Sequence, residues 1–144
     1  MFDIAIGSDH AGYDLKQEII AELKAQNCRV LDVGTDSAAV SCDYPDFAAG
    51  VCEHVLKTGG LGILVCGTGI GMSMAANKYE GIRAALCTSE FQGRMTRRHN
   101  NANVLCLGAR VTGRDLALAI VREFLEAEFE GGRHLTRIQK FARP

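Results

Sequence analysis

Five short runs rich in apolar and β-branched residues alternate along the chain with longer segments of helical spacing: Asp3 to Gly7, Arg29 to Val33, Leu61 to Cys66, Ile82 to Cys87 and Val104 to Gly108. Between them, Leu15, Ile19 and Leu23, then Phe47, Val51 and Val55, then Leu116, Ile120 and Phe124 each mark one apolar helical face. Alternation of this kind calls for parallel strand pairing with right-handed crossovers. The expected fold class is therefore α/β, a three-layer αβα sandwich on a five-stranded parallel sheet, Rossmann-like or flavodoxin-like. The 144 residues suit a single domain spanning 1–144, with Pro45 opening a helix and a terminal helix or arm from about residue 132, Arg133 to Ala142.

Charge and composition narrow the partner. Apolar residues make up 47% and charged residues 23%, and the formal net charge is −1, which excludes the signatures of disorder, a polybasic membrane patch or a nucleic-acid footprint. A small-molecule partner is expected, with no nucleic acid and no membrane. The opening Met-Phe-Asp-Ile-Ala lacks a basic segment before an apolar one, so the chain is read as cytoplasmic. Its six cysteines are irregularly spaced and are expected to be reduced; no Cys-x-x-Cys or His-x-x-x-His pair offers a zinc spacing.

In open parallel sheets ligands bind beyond the carboxyl ends of the strands. There the chain places Ser8-Asp9-His10, Cys66-Gly67-Thr68 and Gly108-Ala109-Arg110. Cys66-Gly67-Thr68-Gly69-Ile70-Gly71 reads as strand, tight turn and helix start, with glycines that let backbone N–H groups approach an anion. Met72 breaks the dinucleotide fingerprint, and the Walker ending Gly-Lys-Ser/Thr is missing. A thiol at the head of a helix meets the positive end of the helix dipole, a setting that suits a base or a nucleophile. Both roles fit the residues. Cys28, Cys52, Cys87 and Cys106 sit among apolar neighbours and read as packing residues.

Asp9 fits either a cleft residue or a helix cap, and His99, before the fifth run, either a proton-exchanging group or a solvated loop residue. His54 falls on an amphipathic helix and is assigned to the surface. Arg133 and Arg137, four apart, share a helical face and with Arg110 suit a phosphate dianion. Anion cradle, thiol, histidines and arginines together fit a small phosphorylated substrate undergoing proton transfer.

Six ordered motifs carry a resemblance over nearly the whole chain. Gly7-Ser8-Asp9-His10-Ala11-Gly12, Asp43-Tyr44-Pro45, Cys66 to Gly71, Ala76-Asn77-Lys78, Arg98-His99-Asn100-Asn101-Ala102-Asn103 and Glu130-Gly131-Gly132-Arg133-His134 resemble ribose-5-phosphate isomerase type B. That family also includes allose-6-phosphate and two-subunit galactose-6-phosphate isomerases. The resemblance implies an aldose–ketose isomerase of the pentose phosphate pathway, interconverting ribose 5-phosphate and ribulose 5-phosphate through a cis-enediolate, with no metal and no organic cofactor. By the same resemblance Cys66 is the base, Thr68 assists it, and Gly67, Gly69, Ile70 and Gly71 complete the cradle. His99 with Asp9 opens the sugar ring, and His10, Arg133 and Arg137 grip the phosphate. Asn100 and Arg110 stand at ligand-binding positions, and Tyr44 lines the pocket. Relatives that lack the cysteine carry glutamate at the position of Ile70, which here cannot take a proton. The resemblance further implies a homodimer, or a dimer of dimers, with sites shared between subunits. The segment Asp36 to Cys42 follows no identifiable motif, which leaves a hexose phosphate, allose or galactose 6-phosphate, as the alternative substrate; a non-catalytic phosphosugar-binding protein on a similar sheet is the alternative from another class.

Overall fold

A computed structural model describes residues 3–141. Its elements are β1 (Asp3–Ser8), α1 (Tyr13–Ala25), β2 (Arg29–Asp32), α2 (Tyr44–Thr58), β3 (Leu61–Cys66), α3 (Ile70–Ala76), β4 (Ala84–Leu86), α4 (Glu90–Asn100), β5 (Val104–Gly108), α5 (Arg114–Glu126) and α6 (Arg133–Ile138). The strands form one parallel sheet in the order β2-β1-β3-β5-β4.

The central strands β1, β3 and β5 are buried on both faces, which is why they read as unbroken apolar runs rather than alternating ones. Side chains alternate across the sheet. Ile4, Ile6, Ile63, Val65, Leu105 and Leu107 face a core closed by Leu15, Ile19 and Leu23 of α1 and Ile120, Val121 and Phe124 of α5. Ala5, Leu64, Cys66, Val104 and Cys106 face the other, closed by Val51, Cys52 and Val55 of α2 and Met72 and Ala76 of α3. The expected three layers are present. α4 packs along α5, and α6 along α4.

Local chemistry sets the ends of these helices. Pro45 lies in the first turn of α2 and Gly59 closes it with a left-handed φ of 73°. Ser89 caps α4 by accepting from the Gln92 N–H at 3.1 Å. Lys16, on the buried stripe of α1, is fully enclosed; its ammonium donates to Asp32 Oδ1 at 2.6 Å and to the Thr35 carbonyl at 2.8 Å.

Four sequence expectations shift. β4 is only Ala84–Leu86, because Ile82 lies outside the strand and the Arg83 N–H is taken by the Asn103 side chain at 2.8 Å. Leu116 is 37% exposed, since α5 buries Ala117, Leu118 and Val121 alongside Ile120 and Phe124. His54 is not a free surface residue: its Nε2 is 3.0 Å from Asp3 Oδ1, tying α2 to the start of β1. The terminal helix is the short α6, and the rest of the segment expected to be helical ends at Ala142, outside the described residues. No helix among the described residues is long and apolar enough to cross a membrane.

Candidate active site

The chain leaves β1 toward β2 on one side while β3 lies on the other, so the carboxyl ends of β1 and β3 flank a topological switch point. Asp9 follows β1 directly. Its N–H donates to the Val65 carbonyl at 3.3 Å and its Oδ1 accepts from the N–H of Gly12, the cap of α1, at 3.1 Å. Asp9 is not the cap of α1, a place Gly12 takes; its carboxylate closes the turn that leads into the helix. His10 is next; the Cys42 N–H donates to its Nδ1 at 3.3 Å, so in the neutral ring the hydrogen sits on Nε2.

Cys66 ends β3 at 5% exposure. Gly69, at a left-handed φ of 79°, turns the chain into α3 and donates its N–H to Cys66 Sγ at 3.2 Å. The sulfur is therefore oriented by the loop it precedes. Thr68 is exposed, and its Oγ1 accepts from the Ile70 N–H at 3.2 Å. Arg110 lies over Gly67: its Nη1 is 3.1 Å from where a Cβ would stand, and its N–H donates to the Gly67 carbonyl at 2.9 Å. The Tyr44 ring packs against Gly71, its hydroxyl 2.7 Å from the corresponding Cβ position. Asp9, His10, Tyr44, Cys66 to Gly71 and Arg110 are thereby gathered at one end of the sheet.

His99, Asn100, Arg133 and Arg137 stand at the other end. Cys66 is paired with Gly108 at the close of β5, whereas His99 and Asn100 lie on the last turn of α4, which runs into the start of β5. The four residue steps of β5, about 3.3 Å each, separate the two groups along the strand direction. α6 packs against α4 and carries both arginines with it. One subunit does not bring Cys66 and His99 together.

Two members of this second group have no role in the sequence analysis. His134 stacks on His99 with ring centroids 4.2 Å apart and planes within 10°. Glu130 Oε1 is 3.9 Å from His99 Nε2 and 3.6 Å from His134 Nε2, while Oε2 pairs with Arg98. The Glu130–His134 spacing of four residues was the one local signal; the approach to His99 depends on how α6 meets α4. These three donors converge, yet stacked parallel rings do not let one ion lie in both ring planes at bond length. The Glu130 carboxyl is desolvated in part, but its bond to Arg98 and the charges of Arg98, His99 and His134 hold it below the usual carboxylate range. Burial, then the charges of His99 and Arg133, hold His134 below the usual histidine value.

The other thiols fit a packing role. Burial pushes Cys87 up to about 12 and, with Glu53 nearby, Cys52 up to about 11. Cys106 is raised well above the ordinary value by burial and by neighbouring thiols, and Cys28 is half-buried against the first core.

The Ribose/Galactose Isomerase family model matches residues 4–141. The chain is 46% identical over 142 residues to ribose-5-phosphate isomerase B of Escherichia coli, covering 96% of this chain and 93% of that protein. Among solved structures, ribose-5-phosphate isomerase B of Clostridium thermocellum is 55% identical with a TM-score of 0.93, covering 96% of this chain and 93% of that one. The Mycoplasma genitalium enzyme, solved with bound ribulose 5-phosphate, is 48% identical with a TM-score of 0.93 and the same coverage of both chains.

Proposed function

The chain belongs to the ribose/galactose isomerase family, and on that premise we propose that it interconverts ribose 5-phosphate and ribulose 5-phosphate through a cis-enediolate, as one catalytic domain acting in the cytoplasm. The observation that carries this is the Cys66 thiol, set at the carboxyl end of β3 and held by the Gly69 N–H in a glycine cradle. Cys66 removes the proton from C2 of the opened sugar and returns it to C1. The exposed Thr68 hydroxyl and the loop N–H groups meet the oxygens on which charge develops. Ile70, with no titratable group, offers no second base.

The relative solved with ribulose 5-phosphate supports the ligand class. The separation of Cys66 from His99 within one subunit supports a homodimer in which the partner's α4 and α6 close the site. In that assembly His99 and Asp9 open the furanose, while His10, Arg133 and Arg137 hold the phosphate, with Asn100 and Arg110 beside the sugar and Tyr44 against the cradle. Magnitudes require this division of labour. A positioned general base supplies about 10² to 10⁴-fold, and each preorganised oxyanion donor adds about 2.7–4 kcal/mol. The phosphate grip at the far end of the sugar fixes C1 and C2 against the sulfur and supplies much of the remainder.

The test is ketose formation from ribose 5-phosphate by wild type and Cys66→Ala, with allose 6-phosphate in parallel. Activity on the pentose that vanishes with the thiol supports the proposal. Preference for the hexose moves the substrate, and activity that survives Cys66→Ala removes Cys66 as the base.

A further inference from the structure

His99 is a half-exposed side chain bounded on one face and one edge by other residues. Its ring is 40% exposed, but His134, at 9%, lies beneath it as a parallel shelf. Glu130 Oε1 faces its Nε2 edge from 3.9 Å. The Glu130 N–H donates to the Arg98 carbonyl at 3.0 Å and its Oε2 takes the Arg98 guanidinium, so the carboxylate is set from the backbone of α4 itself. That leaves Oε1 facing both Nε2 atoms. The Arg98 contacts tie the segment before α6 to α4, and the stack and the approach of Oε1 to the two rings come in addition to them.

One carboxylate oxygen faces two imidazoles set in unlike surroundings. His134 is buried and looks toward the positive charges of His99, Arg133 and Arg137, with only Glu130 opposing them. His99 looks toward solvent and toward the same Glu130, which also faces Arg98.

We propose that Glu130 and His134 are positioning residues for His99, holding its ring in one plane with its Nε2 edge turned toward the carboxylate for the opening of the sugar ring. This rests on the reading of His99 as a ring-opening group. In that step the C1–O4 bond breaks and the C1–O1 double bond forms, while O4 gains one proton and O1 loses one. His99 makes one of these transfers and Asp9 the other. A histidine on an open turn samples several rotamers and both ring flips; the shelf and the carboxylate select one arrangement before substrate arrives.

Ribulose 5-phosphate separates this role from a structural one. With its carbonyl at C2 and O5 esterified it does not close a furanose, so exchange of its C1 proton with solvent needs Cys66 but no ring opening. Two rates are compared for each variant: ketose formation from ribose 5-phosphate, and deuterium uptake at C1 of ribulose 5-phosphate followed by NMR. Glu130→Gln and His134→Ala should lower kcat from ribose 5-phosphate by about tenfold or more and leave C1 exchange within about twofold of wild type. His134→Phe, which restores the shelf without a ring nitrogen, should recover most of the loss seen in His134→Ala. Equal losses in both reactions, or no loss in either, would overturn the proposal, provided wild type is active and Cys66→Ala is not. Wild type inactive on ribose 5-phosphate would remove the substrate reading first, and this inference with it.

Discussion

Replacing Gly108 by alanine probes how firmly the glycine loop is seated on the sheet. Gly108 ends β5 opposite Cys66, and a Cβ there would stand 2.5 Å from both the carbonyl carbon and the oxygen of Thr68 and 2.8 Å from its Cα. Carbon contacts relax at about 3.5 Å, so the Thr68 peptide must retreat by about 1 Å. Two bonds oppose that movement: Ala109 N–H to the Cys66 carbonyl and Arg110 N–H to the Gly67 carbonyl, both 2.9 Å, which such a retreat would stretch beyond hydrogen-bond length. Overpacking of this kind costs about 1–3 kcal/mol, and for a chain of this length each kcal/mol lowers Tm by about 2–4 °C. Because Cys66 and Thr68 both move with the loop, kcat/KM should fall on the order of 10²-fold. Gly108 is not among the glycines with positive φ, so alanine there is penalised by space alone. Gly50→Ala in α2 is the control: its Cβ would meet Val33 at an ordinary 3.4 Å, and it should keep full activity and gain up to about 1 kcal/mol. Calorimetry and initial rates on ribose 5-phosphate decide the matter. A Gly108→Ala protein melting within about 1 °C of wild type, with kcat/KM within about twofold, would refute the close seating of the loop.

Lys16→Met strips the buried ammonium from Asp32 and the Thr35 carbonyl; with Asp32 38% exposed, the loss should be about 1–3 kcal/mol by chemical denaturation, and an unchanged midpoint would show that the pair contributes nothing. His134 has a folded pKa below its unfolded value near 6.5, so the unfolded chain takes up the proton first: the associated stability is full above about pH 6.5 and is lost as pH falls toward the folded pKa. The drop in Tm between about pH 7 and pH 5 should therefore shrink in His134→Phe, and an unchanged drop would place the pH sensitivity elsewhere.

How much was legible follows from where the information lies. β1, β3 and β5 are contiguous and buried on both faces, so five or six residues of sequence are enough to find them. β4 is an edge strand of three half-buried residues whose start is set by Asn103 and by the guanidinium of Arg83 reaching the Asn101 carbonyl, contacts across about twenty positions that no local window contains. Leu116 has the correct period for α5 but stands at its first turn, where small Ala117 packs inward instead. Lys16 interrupts an apolar stripe as if it were a surface residue, and only the position of Asp32 at the end of β2 explains its burial. The glycine loop was readable because turn, thiol and hydroxyl are neighbours in sequence. The cluster of His99, Glu130 and His134 was not, since it exists only where Arg98 brings the segment before α6 onto α4.

That same packing puts Cys66 and His99 at opposite ends of the sheet, which has a consequence for mixed subunits. If each site takes Cys66 from one subunit and His99 from the other, Cys66→Ala and His99→Asn homodimers are each deficient in both sites. A hybrid of the two differs: one of its sites collects both defects and the other is native. Random reassortment of equal amounts by two-fold pairing makes about half the dimers hybrids, each with one working site, so about a quarter of wild-type activity should return after the two are unfolded and refolded together. Refolding each variant alone should return none of it. Absence of recovery, with refolded wild type active, would mean that the site closes within one chain, and the last turn of α4 would then have to travel the height of β5 to reach Cys66.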